Sequence, residues 1–377
     1  MTAKPRVSVL LPVYNGAATI DVAVQSILCQ TYSDFELVVV HDGSTDDSAA
    51  RLATHRDDRV RVIRTANRGL GAALKLAVDS SRGEFLARMD ADDISAPNRL
   101  EVQVAALDQR PEVGVVHARI HFMDRRARPL SDRRESVRSA DAGDTPVLHR
   151  WRLLWRNVVV HSTVMMRKRL LEEHGLNYRE GAVVEDYELW SQLLFHTDFL
   201  RLRERLLWYR VHPDSMTANR GEAHVASLAA TRIQTLGRIV GEQVSTEFGR
   251  DLAMLSGQTL LRPEEYETRT SCRELADLME RVLVRFCEHF RVPVAEHATL
   301  RHDAALHLFD WLWLLDRCPV LPPDGRMRLV RTAFALSPRA LFSRKALRHV
   351  VGLAIGPAGL KRIRDFTHAW AARGNGD

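Results

Sequence analysis

Short, almost wholly apolar runs recur through the first 120 residues, each closing on polar or acidic residues and each followed by a helical pattern. Val7–Val13 (VSVLLPV) is the first, with apolar residues at 20, 24, 27 and 28 placing a helix behind it. Phe35–Val40 (FELVVV) ends at His41-Asp42-Gly43-Ser44, Val60–Ile63 is a shorter run, and Glu84–Met89 ends at Asp90. Helical spacing fills 46–55, 69–80 and 98–109 between them, and Val113–Phe122 is again strand-like. A strand with no polar face is buried on both sides. Repeated βα units of this length therefore predict an α/β fold, a parallel sheet covered by helices on both faces. Ligands of such sheets sit beyond the carboxyl ends of the strands, where the polar residues of this chain gather.

The pattern changes along the chain. Residues 124–146 are polar and Arg-rich and read as a loop over the sheet, Glu185–Phe195 reads as a helix and Leu206–Val211 as a further strand. Beyond about residue 220 the strand signal stops, and helical patterns cover 222–246, 273–290 and 299–316. We expect an α/β domain over 1–218 and a helical region over 219–377.

Charge divides the chain the same way. The 377 residues carry a net +6, yet residues 326–377 hold eleven cations against two anions, and residues 1–325 hold 43 against 46. A slightly acidic body with a basic tail argues against a general nucleic-acid patch, and the tail has few aromatics beside its cations. At 45% hydrophobic and 27% charged, the composition is that of a globular protein. Cys29, Cys272, Cys287 and Cys318 form no C-x-x-C pair and suit reduced buried thiols. The N-terminal residues enter the first strand without a signal-peptide apolar region, and no window is apolar enough to span a membrane. We expect a cytoplasmic protein, or one at the inner face of the membrane.

Acidic groups close several elements: Asp42 at the second strand, Asp90 and Asp92 after the strand 84–89, and Glu185-Asp186 at a helix start. Carboxylates on one edge of one sheet suit a hard divalent cation such as Mg²⁺ or Mn²⁺. Turn and helix capping is the other reading of the same residues.

Seven blocks in order resemble the family 2 glycosyltransferases, whose nucleotide-binding domain has the GT-A fold. They are Ser8–Asn15 (SVLLPVYN), Ser26-Ile27-Leu28 with Gln30-Thr31, Phe35–Asp46 (FELVVVHDGSTD), Asn67-Arg68-Gly69-Leu70, Arg88–Asp93 (RMDADD), Glu185–Trp190 (EDYELW) and Tyr209–His212 (YRVH). They cover about 210 residues. The resemblance implies a GT-A domain with a mostly parallel central sheet, followed by the helical C-terminal region. It implies that Pro12, Tyr14, Asn15 and Asp42 line a nucleobase pocket, with a carboxylate that suits the imide N–H of uracil or thymine and so a UDP- or dTDP-sugar. Asn67, Arg68 and Gly69 become part of the nucleotide wall, at a helix start that favours anions. Asp90 is expected on the ribose, Asp92 on Mg²⁺ or Mn²⁺, and His212 on the metal or diphosphate. Asp186 is the candidate general base of an inverting displacement.

For several of these residues two readings stand: Tyr14 as base contact or boundary aromatic, Arg68 as phosphate contact or surface cation, Asp93 as a third acid or helix cap. The same holds for Arg210 as phosphate contact or strand support, His212 as ligand or structural histidine, and Trp190 as acceptor platform or core. The implied acceptor is a glycan or lipid-linked sugar. A basic, apolar stretch over 340–364 suits peripheral contact with anionic lipid or a packed helix with a solvated face. A sugar-phosphate nucleotidyltransferase is disfavoured because Pro12–Asn15 stands where its Gly-rich loop belongs. A catalytically inactive adaptor is disfavoured by the complete set of Asp42, Asp90, Asp92 and Asp186.

Overall fold

The computed structural model describes residues 4–131, 145–212, 221–255, 271–315 and 326–343. Residues 132–144 and 213–220 and the basic stretch from 344 onward lie outside them, as does Cys318.

The apolar runs become an eight-stranded sheet. In chain order its strands are β1 (Val7–Val13), β2 (Phe35–Asp42), β3 (Val60–Thr65), β4 (Phe85–Arg88), β5 (Ile94–Ser95), β6 (Val113–Met123), β7 (Met165–Arg167) and β8 (Asp198–Arg210). The spatial order is β3-β2-β1-β4-β7-β6-β8-β5. Pairs β1–β2, β1–β4, β2–β3 and β6–β8 are parallel, and β7 and β5 run against their neighbours. The sheet is thus mostly parallel, with its parallel N-terminal half built from the βα repeats.

Burial on both faces explains the unbroken apolar strands. Odd residues of β1 (Val7, Val9, Leu11, Val13) share a core with Ile20, Ala23, Val24 and Ile27 of α1 (Ile20–Leu28) and Leu100, Val104 and Leu107 of α4 (Arg99–Gln109), α2 being Ser48–Leu52. On the other face α3 (Leu70–Ser80) lays Ala73, Leu74 and Ala77 against β1 and β2. Each fully buried Leu, Ile or Val contributes about 1.5–3 kcal/mol relative to exposure.

Three short elements complete this layer: α5 (Pro146–Trp155), α6 (Lys168–His174) and α7 (Glu185–Leu193). The polar stretch read as a loop therefore ends at a helix. Thr145 caps α5, accepting the Leu148 N–H on its side chain, and Pro146 sits at the first turn.

The chain forms two compact units, Met1–Thr235 and Leu236–Asp377, a division that falls inside α8 (Glu222–Val240). The described part of the second unit is helical: α9 (Thr246–Leu255), α10 (Cys272–His289), α11 (Val294–Leu315) and α12 (Arg326–Leu336), with a 3-10 turn at Pro338–Phe342. A reciprocal Ser271–Glu274 capping box starts α10, whose buried stripe runs from Cys272 through Leu275, Met279 and Val282 to Phe286. None of the described helices is long and apolar enough to cross a membrane.

Candidate active site

Four loops meet beyond the carboxyl ends of β1, β2, β3 and β4, tied by hydrogen bonds that the sequence blocks supply. Asn15 takes a left-handed backbone (φ 50°), donates its N–H to the Ser44 hydroxyl at 3.0 Å and accepts the Thr45 N–H on Oδ1 at 2.8 Å. The Ala17 N–H reaches Asp46 Oδ2 at 2.9 Å. Gly43 has φ 64°, and a Cβ there would stand 2.5 Å from the Asn67 nitrogen, so the β2 loop approaches the α3 entry more closely than any side chain allows. Pro12 is buried within β1 and Tyr14, next but one, is half exposed at the mouth.

Asp42 is buried. Its Oδ1 accepts the Arg68 N–H and its Oδ2 the Gly69 N–H, both at 2.9 Å. The carboxylate therefore satisfies two donors at the start of α3, where Asn67 Oδ1 also takes the Gly69 N–H at 3.2 Å. The Arg68 side chain turns away from Asp42 into a bidentate pair with Glu180, both exposed, at 2.7 Å.

The second group follows β4. Asp90, Asp92 and Asp93 can each offer a carboxylate oxygen within 4.8 Å of the others. Arg88, buried in the strand, forms an ion pair with Asp90. His212 Nε2 lies 3.0 Å from Asp92 Oδ2. Asp93 is almost wholly buried and accepts the Arg210 N–H at 2.9 Å. The Arg210 guanidinium holds the main-chain oxygens of Asp92 (2.7 Å), Asp124 (3.2 Å) and Arg125 (2.8 Å), so this residue clasps the acidic turn to β8. Burial pushes the Asp90 carboxyl up against the opposing pull of Arg88, and the charges of Asp92 and Asp186 add to the rise. Burial and the charges of Asp90 and Asp92 push Asp93 well up. Acids crowded this way favour a bound cation.

The third group stands at the start of α7. Asp186 Oδ1 accepts the Tyr187 N–H at 2.6 Å and Oδ2 accepts from Asn157 Nδ2 at 2.7 Å. Glu185 is buried beside it, and burial followed by the Asp186 charge lifts its carboxyl to about 8. His161 Nε2 is 2.8 Å from the Tyr178 hydroxyl, and burial with the Arg88 charge keeps its ring well below the usual histidine range. Trp190 is fully buried, edge-on to His161 and Phe199, and so belongs to the core.

The motif residues thus fall into a group around Asp42 (Pro12, Tyr14, Asn15, Asn67, Arg68, Gly69) and an acidic group (Asp90, Asp92, Asp93, His212, with Asp186 in its electrostatic reach). Arg88 opens the block Arg88–Asp93 without showing its role as buried counter-ion, and Asn157, the partner of Asp186, lies in none of the blocks. Only the tertiary structure brings them there.

Known proteins match the same parts. The family model for glycosyl transferase family 2 fits residues 8–175. The putative glycosyltransferase EpsE of Bacillus subtilis is 32% identical over 226 residues, which are 57% of this chain and 76% of that protein. This chain belongs to the family 2 glycosyltransferases. The Escherichia coli O-antigen biosynthesis glycosyltransferase WbnJ is 31% identical over 216 residues, 55% of this family member and 81% of WbnJ. Among solved structures, residues 1–349 of Staphylococcus aureus TarS, in complex with UDP-GlcNAc, superpose with a TM-score of 0.55 at 17% identity, covering 90% of this chain and 93% of that one. The shared architecture is the GT-A fold followed in the chain by a helical region.

Proposed function

We propose that this glycosyltransferase inverts configuration, moving a sugar from a UDP- or dTDP-sugar to a glycan or lipid-linked acceptor in surface polysaccharide synthesis. The observation that carries the reading is the gathering of Asp90, Asp92 and Asp93 within 4.8 Å, with His212 on Asp92 and Asp186 near enough for its charge to raise Asp90. Three carboxylates of like charge suit Mg²⁺ or Mn²⁺, which Asp92 and His212 would hold, since Arg88 and Arg210 already engage Asp90 and Asp93. Such an ion would neutralise the charge developing on the departing nucleoside diphosphate.

The chain's own residues supply the rest. Asp42 uses two of its roughly four acceptor positions on backbone amides, leaving capacity for the imide N–H of uracil or thymine. Tyr14 offers an exposed ring beside that position. Asp90 takes a ribose hydroxyl. Asp186 accepts the proton of the acceptor hydroxyl while its oxygen attacks the anomeric carbon and the bond to the diphosphate oxygen breaks. Glu185, with its carboxyl lifted to about 8, holds its own proton at neutral pH and leaves Asp186 as the single base of the pair.

The O-antigen role carried in WbnJ's name supports a surface-glycan acceptor. We place the reaction at the cytoplasmic face of the membrane, met by the basic stretch 340–364 with its exposed Phe342. The test is release of nucleoside diphosphate from UDP- and dTDP-sugars with Mn²⁺. Asp92→Ala and Asp186→Asn should each lower it about 10³-fold or more, and unchanged rates in both would overturn the mechanism.

A further inference from the structure

The residue that fixes the proposed base lies outside every motif. Asn157 stands just past the end of α5, half-buried, and its Nδ2 donates to Asp186 Oδ2 at 2.7 Å. Its own Oδ1 accepts the Val159 N–H at 3.2 Å. That second bond sets the amide's orientation. A flipped side chain would turn an oxygen toward the carboxylate and an NH₂ toward a backbone N–H, losing both interactions. The next residue of α7 repeats the attachment: the Tyr187 hydroxyl donates to the carbonyl oxygens of Leu153 (3.0 Å) and Leu154 (3.3 Å) in the last turn of α5. Those carbonyls have no helical partner at a C-terminus, and the phenol satisfies them. Asp186 and Tyr187, adjacent in sequence, are thus latched onto adjacent parts of one helix end.

We propose that Asn157 is a positioning residue for the general base, holding the Asp186 carboxylate in one rotamer and keeping it ionised for the acceptor hydroxyl. The inference rests on the reading of Asp186 as the base. A donor N–H to a carboxylate favours its charged form and fixes its direction, and a base displaced by about 1 Å loses on the order of 10²-fold in rate. Ionisable groups whose charges interact with Asp186 include Glu185 on α7, Asp90 after β4 and the Tyr178 hydroxyl. A substitution at Asn157 leaves all three in place.

The experiment follows nucleoside diphosphate release from the UDP- or dTDP-sugar that the full chain turns over, with water as acceptor and Mn²⁺ present, across pH 5 to 9. Asn157→Asp is close to isosteric and sets a second carboxylate against Asp186, so the pair shares a proton. The acid limb of kcat should move up by at least one pH unit while the KM for the donor stays within about twofold. Asn157→Ser, which cannot span the same distance, should lower kcat about 10- to 100-fold with the donor KM again unchanged, and its melting temperature reports that the fold survives. In the Asp186→Asn background the Asn157→Ser change should have no further effect on kcat, because the residue acts through Asp186. An unshifted Asn157→Asp profile, or additive losses in the double variant, overturns the positioning role. Full activity in Asp186→Asn alone instead overturns the base assignment beneath it.

Discussion

The two edges of the central sheet hold buried carboxylates under opposite conditions. At the edge where the strands begin, Glu36 accepts the Ser8 hydroxyl at 2.7 Å, the Arg82 N–H at 2.7 Å and Arg82 Nε at 2.9 Å, with Arg61 at 3.4 Å. Burial alone would raise this acid, yet those donors more than offset it and leave Glu36 below its ordinary value. Arg6 likewise pairs with Glu84 and Asp108. At the edge where the strands end, burial and neighbouring acids raise Asp90, Asp93 and Glu185 together. One edge is matched charge for charge. Among the described residues the other holds acids whose protonated forms are favoured despite Arg88 and Arg210, the condition that the proposed cation and general base call for.

The largest difference should appear in catalysis. Asp92→Ala and Asp186→Asn at the acidic edge should each cost about 10³-fold or more in donor turnover, and Glu36→Ala at the matched edge should leave kcat within about twofold. Loss of turnover in the Glu36 variant, with its fold intact, would break the comparison.

Stability should separate the edges in the reverse sense. Glu36→Ala takes the acceptor from the buried Ser8 hydroxyl and leaves the Arg82 N–H only its longer bond to Ser8 Oγ at 3.2 Å, and should cost about 2–3 kcal/mol in urea unfolding. Its contribution is present above the unfolded carboxyl range near pH 4 and is lost as pH falls through the lower folded value.

Glu185 should show the opposite pH sign. Its carboxyl titrates near 8 in the folded chain and near 4.5 unfolded, so its protonated form stabilises below 4.5 and that contribution fades as pH rises toward 8. Glu185→Gln keeps the uncharged shape. Its melting temperature should gain on the parent by about 4 °C per pH unit between pH 5 and 8, since one proton amounts to about 1.4 kcal/mol per unit. Parallel melting curves would remove the raised carboxyl from the account.

The smallest effect belongs to the exposed pair Arg6–Asp108, where Asp108→Ala should change stability by less than about 1 kcal/mol and lose even that in high salt.

Much of this was legible in the chain itself, for a physical reason. β1 and β2 are buried on both faces, so their apolar runs are almost unbroken and their ends visible. β5 and β7 are two and three residues long, too short to show a period, and they form because longer strands offer them edges. α5 carried its cap in Thr145-Pro146, but the Arg-rich stretch before it reads as loop. The acidic turn Asp90–Asp93 and Asp186 carry local motifs. Arg88, Arg210 and Asn157 act through partners 2 to 118 residues away in sequence, at Asp90, Asp92 and Asp186, and spacing alone does not pair them.

The most direct measurement is the melting temperature of the full chain with UDP- and dTDP-sugars, with and without Mn²⁺, beside Asp92→Ala. A donor bound at the acidic edge stabilises by mass action. The account predicts a rise that needs both donor and Mn²⁺ in the parent chain and disappears in Asp92→Ala. An equal rise in the variant, or one indifferent to Mn²⁺, would contradict it.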